Sequence, residues 1–324
     1  MTDPLAQLAE WLVYGALGLA KGSTPAAALE FFVYDSVKII SLMFLMIFVM
    51  GIIRTYIPPE RIRKLLSNKA PFLSNLGASL FGAITPFCSC SSIPIFISFI
   101  EAGVPLGVAF SFLVTSPLIN EYLVVMMIGF FGLEITAIYI LIGLVLGIGA
   151  GMMIGRMNME KYLSEDLFKR RNSLKKKGHR FRSFTERLRF GIDEAKDITS
   201  KTWLWVLAGV GIGAAIHGFI PEEAISSAVS ATGIFAVPVA VLIGVPIYAN
   251  CTAVLPIAAA LFDKGVPLGT ALAFMMSTAA LSLPEAVILR RAVKLPLLAL
   301  FFGIVALGIV IVGYLLNFLF PIIM

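Results

Sequence analysis

The sequence predicts an all-α integral membrane protein made of two inverted-topology repeats. Each repeat holds about three to four transmembrane helices, including a broken or re-entrant helical hairpin. Three observations predict this. First, the 324 residues are 59% hydrophobic and 14% charged, with mean hydropathy +0.96. A soluble domain is only about half apolar and about one quarter charged. Second, motifs recur half a chain apart. Gly103-Val-Pro-Leu-Gly107 returns as Gly265-Val-Pro-Leu-Gly269, an offset of 162 residues. The same offset pairs Gly82 with Gly244, Pro94 with Pro256, Asp35 with Asp197 and Phe112 with Phe274. Third, equivalent loops carry opposite charge. Arg54, Arg61, Arg63, Lys64 and Lys69 follow the first long span, whereas the matching 217–231 has only Glu222 and Glu223. Arg290, Arg291 and Lys294 precede the last span, whereas the matching turn near Leu133 has Glu134. Basic loops stay on the cytoplasmic side, so equivalent loops are expected on opposite sides.

The elements follow in order. Residues 1–155 form the first membrane repeat, 156–201 a basic cytoplasmic loop, and 202–324 the second repeat. Met1–Leu19 lacks a basic start and a small-residue cleavage site, so no signal peptide is expected. Leu5–Ala20 is expected as an interfacial helix or an extra hydrophobic segment. Runs such as Ile39–Ile53, Ile135–Ile154 and Leu297–Ile323 approach or reach the roughly 20 residues that cross a bilayer. The segment 156–201 has fourteen Lys/Arg and seven Asp/Glu, net +7, so the remainder is −1 within the total of +6. A cytoplasmic loop explains this segment. Aromatic residues are too sparse there for nucleic acid, and contact with anionic lipid heads fits the loop reading.

If Arg54–Lys69 and 156–201 are both cytoplasmic, an even number of crossings separates them. Three hydrophobic blocks lie between: Phe72–Glu101, Val104–Gly132 and Ile135–Gly155. One must enter and return on the same side. Phe72–Glu101 is chosen because Pro86 and Pro94 flank its polar tract. Its counterpart is Gly233–Phe262, interrupted at Val245–Pro256. Helices that are broken but cross fully remain the alternative. Val104–Gly132 and Val266–Leu289 are themselves interrupted, at Pro117 and Pro284.

The tract "TPFCSCSSIP" holds Cys88, Ser89, Cys90, Ser91 and Ser92 at membrane depth. Irregular backbone there survives only against protein or a water-filled cavity. The serines either mend a broken helix or meet a solute. Cysteine is a weak hydrogen-bonder, so it mends little; its alternative is a small buried hydrophobe. In an extended segment Cys88 and Cys90 share one face. Cys251 of "ANCTAV" falls opposite Ser89 by the offset, so all the cysteines converge on one expected site. Soft thiolates select soft, thiophilic species, which makes Cys88 and Cys90 candidate metalloid or soft-metal ligands. Asn250 either caps the second break or contacts the solute. "TSPLINEYL" places Asn120 and Glu121 within a span, and "LSLPEAVILRR" places Glu285 similarly. Intramembrane carboxyls are functional candidates, and burial favours the proton-carrying form. Glu121 and Glu285 are therefore proton-coupling candidates. Their alternatives are a hydrogen bond to a helix end for Glu121 and an interfacial ion pair with Arg290 or Arg291 for Glu285. Gly143, Gly147 and Gly151 form a stripe for close helix packing.

No Walker A motif is present and the two histidines lie far apart, so neither an ATPase nor a histidine metal site is expected. No cofactor and no catalytic residue are assigned. Three cysteines in hydrophobic context do not make a secreted disulfide framework.

At "TPFCSCSSIP", the paired Gly-Val-Pro-Leu-Gly turns and "TSPLINEY", the chain resembles the ArsP-type family of permeases over nearly its whole length. The resemblance implies a multi-pass permease of the cytoplasmic (inner) membrane with about eight spans. It implies export of a thiophilic solute such as trivalent organoarsenicals, with Cys88 and Cys90 as candidate arsenic ligands. Cys251, Ser89, Ser91, Asn250 and Asn120 complete the expected solute site. Other readings stay open: a permease for a transition-metal cation or a sulfur compound, and a membrane thiol-redox protein using Cys88 and Cys90. The expected partners are the solute and the lipid bilayer, not nucleic acid; a homo-oligomer is left open.

Overall fold

A computed structural model describes residues 4–20, 23–56, 70–85, 89–119, 121–164, 183–219, 233–247, 251–263, 265–290 and 292–323. Among the described residues the protein is helical, with one isolated bridge between Leu163 and Val293. Helix α1 (Pro4–Glu10) runs into a π turn, Trp11–Ala16. These pack on α2 (Thr24–Tyr56), where the Tyr14 hydroxyl donates to Glu30 at 2.7 Å. Then come α3 (Pro71–Ile84), α4 (Ser89–Ala102), α5 (Leu106–Leu118) and α6 (Glu121–Arg156). After a 3-10 turn at Met159–Tyr162, the second half holds α7 (Phe184–Phe219), α8 (Ala236–Gly244), α9 (Cys251–Asp263), α10 (Leu268–Ala280), α11 (Leu283–Leu289) and α12 (Leu295–Ile323). Helix α7 begins inside the basic segment.

The 162-residue offset reappears in the helix boundaries. Ser89 and Cys251 open α4 and α9, Leu106 and Leu268 open α5 and α10, and Glu121 and Leu283 open α6 and α11. Helix α6 is interrupted at Gly132, whose φ of 82° and ψ of 172° suit glycine alone. Adding 162 to the next residue, 133, gives 295, the start of α12. Neighbours recur too: α3 packs on α5 as α8 packs on α10, α5 on α6 as α10 on α12, and α4 on α5 as α9 on α10. The block Val104–Gly132, expected to be interrupted at Pro117, is two helices, α5 and the first part of α6, separated at Ile119.

Small residues set the closest approaches. A Cβ on Gly107 would collide with the Gly151 carbonyl, and one on Gly269 with the Gly313 carbonyl. The expected glycine stripe does pack helices: Gly147 and Gly151 lie against Thr115 and Ser111, and Gly143 against Ile119. A side chain at any of these positions would push α5 and α6 apart.

The core lies at the centre of the two halves. Every residue of α5 is buried, and so is nearly every residue of α10. The two helices pack on each other. Phe110 stacks on Phe96 at 4.9 Å and on Phe301 of the other half at 5.1 Å, ring centre to ring centre. Cross-half packing is reciprocal: α4 meets α11, and α9 meets α6. Leu146 packs on Gly308, which is its own equivalent at the offset. Residues 133–156 and α12 instead face outward along one side, with Leu141, Val145, Leu307 and Ile311 more than half exposed. Among the described residues three stretches are long and apolar enough to cross a membrane: Leu123–Arg156, Leu268–Leu289 and Leu295–Phe320.

Helices α2 and α7 run antiparallel. Arg187 near the start of α7 donates to the carbonyl of Thr55 near the end of α2 at 2.9 Å. Gly191 lies against Phe48, and Gly211 against Phe32. At the far end of residues 133–156, Ser164 donates to the Ala292 carbonyl at 2.9 Å and Lys294 to the Tyr162 carbonyl at 2.7 Å.

Candidate functional site

The interruptions are built locally. Helix α3 stops where Thr85 turns extended, with φ −89° and ψ 129°. A proline at 86 brings no N–H for the Gly82 carbonyl four residues back. The Thr85 hydroxyl serves that carbonyl instead, at 2.9 Å. Helix α4 then starts at Ser89, so Cys90 already lies in a helical turn. The expected extended geometry across 88–90 therefore does not extend to Cys90. Pro94 and Pro256 sit inside α4 and α9 without ending them. Having no N–H, they supply no helical donor to the carbonyls of Cys90 and Thr252. Each of these first-turn carbonyls therefore goes without its usual intrahelical N–H.

Helix α5 likewise continues through Pro117 to Leu118 and breaks one residue later, at Ile119 (φ −126°, ψ 100°). The buried Tyr139 hydroxyl donates to the Leu118 carbonyl at 2.9 Å and anchors this end. Ser92 and Ser116 share a buried hydrogen bond, Oγ to Oγ, at 2.8 Å. This bond joins the cysteine-bearing tract to the second interruption of the same half. In the other half α10 ends at Leu281, and Ser282 is extended at φ −65° and ψ 149°.

Cys88, Asn120 and Asn250 lie outside the described residues. Ser89, Cys90, Ser91, Glu121 and Cys251 are placed as helical backbone at the first turns of α4, α6 and α9; their side chains lie outside the description. Glu285 is fully described. It is completely buried, and neither carboxylate oxygen has a hydrogen-bond partner among the described residues. Glu285 therefore makes no hydrogen bond to Arg290; Arg291, the other partner weighed for it, lies outside the described residues. The Arg290 guanidinium turns to the Val293 carbonyl at 3.5 Å. Among the described residues no group of three or more His, Cys, Asp or Glu side chains is placed to hold a metal ion.

Sequence reasoning weighed Ser92 only as one of the tract's serines and did not single out Ser116, Ser282 or the buried Glu101 as site partners. The signals were present: Ser-Pro at 116–117, and Ser-x-x-Glu at 282–285, a helix-capping pattern. Two clefts lie elsewhere, at the Gly-Val-Pro-Leu-Gly turns. One, of about 320 Å³, is lined by Pro71, Ser74, Asn75, Pro105, Gly107 and Arg156 among others. The other, of about 390 Å³, is lined by Phe262, Gly265, Pro267, Asn317 and Phe320 among others. Both are at helix ends, not at the interruptions.

Long apolar helices, buried polar interruptions and an outward apolar surface define a multi-pass membrane protein with a polar centre. The sequence profile of the ArsP_1 family, described as "Predicted permease", matches residues 25–318. The chain belongs to this permease family. It is 34% identical over 90 residues to the UPF0718 protein YcgR of Bacillus subtilis, covering 27% of this chain and 30% of that protein. It is 23% identical over 188 residues to a "Putative two-component membrane permease complex subunit" of Streptococcus mutans, covering 55% of this chain and 58% of that one. The match thus spans less than two thirds of either relative. No solved structure matches the chain. Family membership makes the chain a membrane permease.

Proposed function

We propose that the protein is a secondary-active permease of the cytoplasmic membrane that exports a thiophilic solute, such as a trivalent organoarsenical, through a site at mid-bilayer depth. The observation that carries this reading is the pair of buried central helices. Helices α5 and α10 each have 13 residues, roughly 20 Å at 1.5 Å per residue, against about 30 Å of hydrocarbon. Each stops inside protein, next to a half-helix that opens at a cysteine-bearing tract. Cys88, Cys90 and Cys251 are the soft ligands of the proposed site, with Ser89, Ser91, Asn120 and Asn250 as polar neighbours. Glu121 and Glu285 are the proposed proton carriers.

Two contacts support inverted repeats. The antiparallel partners α2 and α7 are equivalent helices, as a two-fold axis perpendicular to them produces. The Lys294 turn lies beside Tyr162, beyond the C-terminal end of residues 133–156. Its equivalent, Gly132, lies at the N-terminal end of that stretch. Pro71 and Pro105 line one cleft with Arg156, which supports a hairpin of α3 and α4 that enters and returns at the cytoplasmic side. Alternating access then follows from rocking one repeat against the other.

The chemistry suits release as well as binding. A monomethyl arsenic(III) species has two exchangeable positions for two thiolates; a third tight thiolate would trap it. The test is a resistance panel of arsenicals and soft metals in sensitive cells, comparing the intact chain with Cys88→Ser, Cys90→Ser and Cys251→Ser. Loss of resistance in Cys88→Ser and Cys90→Ser is expected; unchanged resistance in all three variants contradicts the reading. The name of the Streptococcus mutans relative favours one addition, a second membrane subunit. Co-purification of the tagged chain with such a subunit checks it.

A further inference from the structure

Ser282-Leu-Pro-Glu285 has the spacing of a capping box, in which the serine hydroxyl and the glutamate carboxylate each take a backbone N–H at a helix start. Ser282 has the extended backbone that such a cap requires, yet it makes no side-chain cap bond. Its hydroxyl is buried and, among the described residues, has no hydrogen-bond partner; the same holds for both oxygens of Glu285. The local structural use of both side chains is available and not taken. Three hard oxygen atoms are instead held one helical turn apart inside the core. A lone carboxylate in such surroundings is strongly disfavoured unless a positive charge compensates it.

We infer that Ser282 and Glu285 bind a monovalent cation, a proton or a sodium ion, at a site chemically distinct from the thiols. The inference rests on the permease reading for its role, which is to couple the ion to solute movement. Hard oxygen ligands suit a proton or an alkali cation, and soft thiolates suit the solute. The two therefore do not compete for the same atoms. Helix α11 packs on α4, the half-helix that opens at the cysteine tract, and on α7. Loading the cation on α11 acts directly on the helix that carries Cys90.

The titratable groups on these packed helices are Cys90 and Glu101 of α4, and on α7 the charged residues within 186–201 and then His217. Arg290, Arg291 and Lys294 follow Glu285 along the chain. None of the described ones hydrogen-bonds to Glu285.

The experiment needs no solute. The full chain in liposomes is treated with dicyclohexylcarbodiimide, which modifies protonated carboxyls in apolar surroundings, and the modified residues are mapped by mass spectrometry. Glu285 is expected to be labelled. For a proton site, labelling falls as pH rises and ignores sodium; for a sodium site, sodium chloride protects at fixed pH while choline chloride does not. Ser282→Ala is expected to shift the half-protecting proton or sodium concentration by roughly tenfold or more, the loss of one hydrogen bond or ligand to a charged group. Glu285→Gln removes the label and still elutes as folded protein. Absence of label on Glu285 in folded protein overturns the inference. So does label that ignores pH, sodium and Ser282→Ala. Failure of the cysteine resistance panel leaves this assay unaffected, so the two readings fail separately.

Discussion

The two halves share a skeleton and differ in their polar atoms. Helix starts at Ser89, Leu106 and Glu121 recur at Cys251, Leu268 and Leu283. The turn glycines Gly103 and Gly265 both take positive φ, 84° and 90°. Phe112 and Phe274 are both buried. At the interruptions the likeness stops. The first half closes its polar groups on each other, with Ser92 bonded to Ser116. The equivalents of that pair are Val254 and Thr278, and Thr278 turns back to the Phe274 carbonyl of its own helix at 2.9 Å. The second half instead leaves Ser282 and Glu285 without partners among the described residues, where the first has Asn120 and Leu123. Backbone geometry is duplicated and the chemistry is divided.

Substitutions at the shared skeleton are expected to have the largest and most equal effects. Gly151→Leu and Gly313→Leu each force a side chain into a helix crossing where backbone meets backbone. Overpacking of this kind costs about 1–3 kcal/mol or more. Both variants are expected to lose most of their monodisperse protein on size-exclusion chromatography. A large loss in only one would mean that the two crossings are not equivalent.

Next comes the pair that differs. Ser116→Val removes the buried hydrogen bond that ties Ser92 to α5 and is expected to destabilise by about 1–3 kcal/mol. Thr278→Val removes only a bond within its own helix and is expected to stay near or below 1 kcal/mol. Thermal unfolding in detergent measures both. Joint replacement of Ser92 and Ser116 by alanine, which leaves neither hydroxyl stranded, should recover part of the loss. Thr85→Val is expected to cost less than Ser116→Val, about 0.5–1.5 kcal/mol, because it removes the hydroxyl that serves the Gly82 carbonyl. The smallest effect belongs to Tyr14→Phe, at most about 1 kcal/mol, since its bond to Glu30 is only partly buried.

The helical membrane architecture was legible because hydropathy and a fixed offset are global signals. The repeat spacing read from Gly103-Val-Pro-Leu-Gly107 locates helix starts that propensity would not. Interruption points were less legible. Proline marked them at Pro94 and Pro117, but helices tolerate proline where side chains or neighbouring helices take up the freed carbonyls. Helix α4 runs on past Pro94, and α5 ends only after Pro117. Gly132, by contrast, breaks its helix through φ, and no proline marks it. For the site, the carboxyl at Glu285 was legible because charge in an apolar run is rare. Ser282 was not, because its role depends on a capping bond that the fold declines to make.

Antiparallel duplication around a shared centre is the central claim, and side-specific labelling tests it most directly. Pro105 and Pro267 are equivalent, and both are exposed at their turns. Each is replaced by cysteine in a background whose native cysteines are serine, and a membrane-impermeant thiol reagent is applied to intact cells and to inverted vesicles. The account predicts that Pro267→Cys reacts in cells and Pro105→Cys reacts in inverted vesicles. Reaction of both from the same side would contradict it.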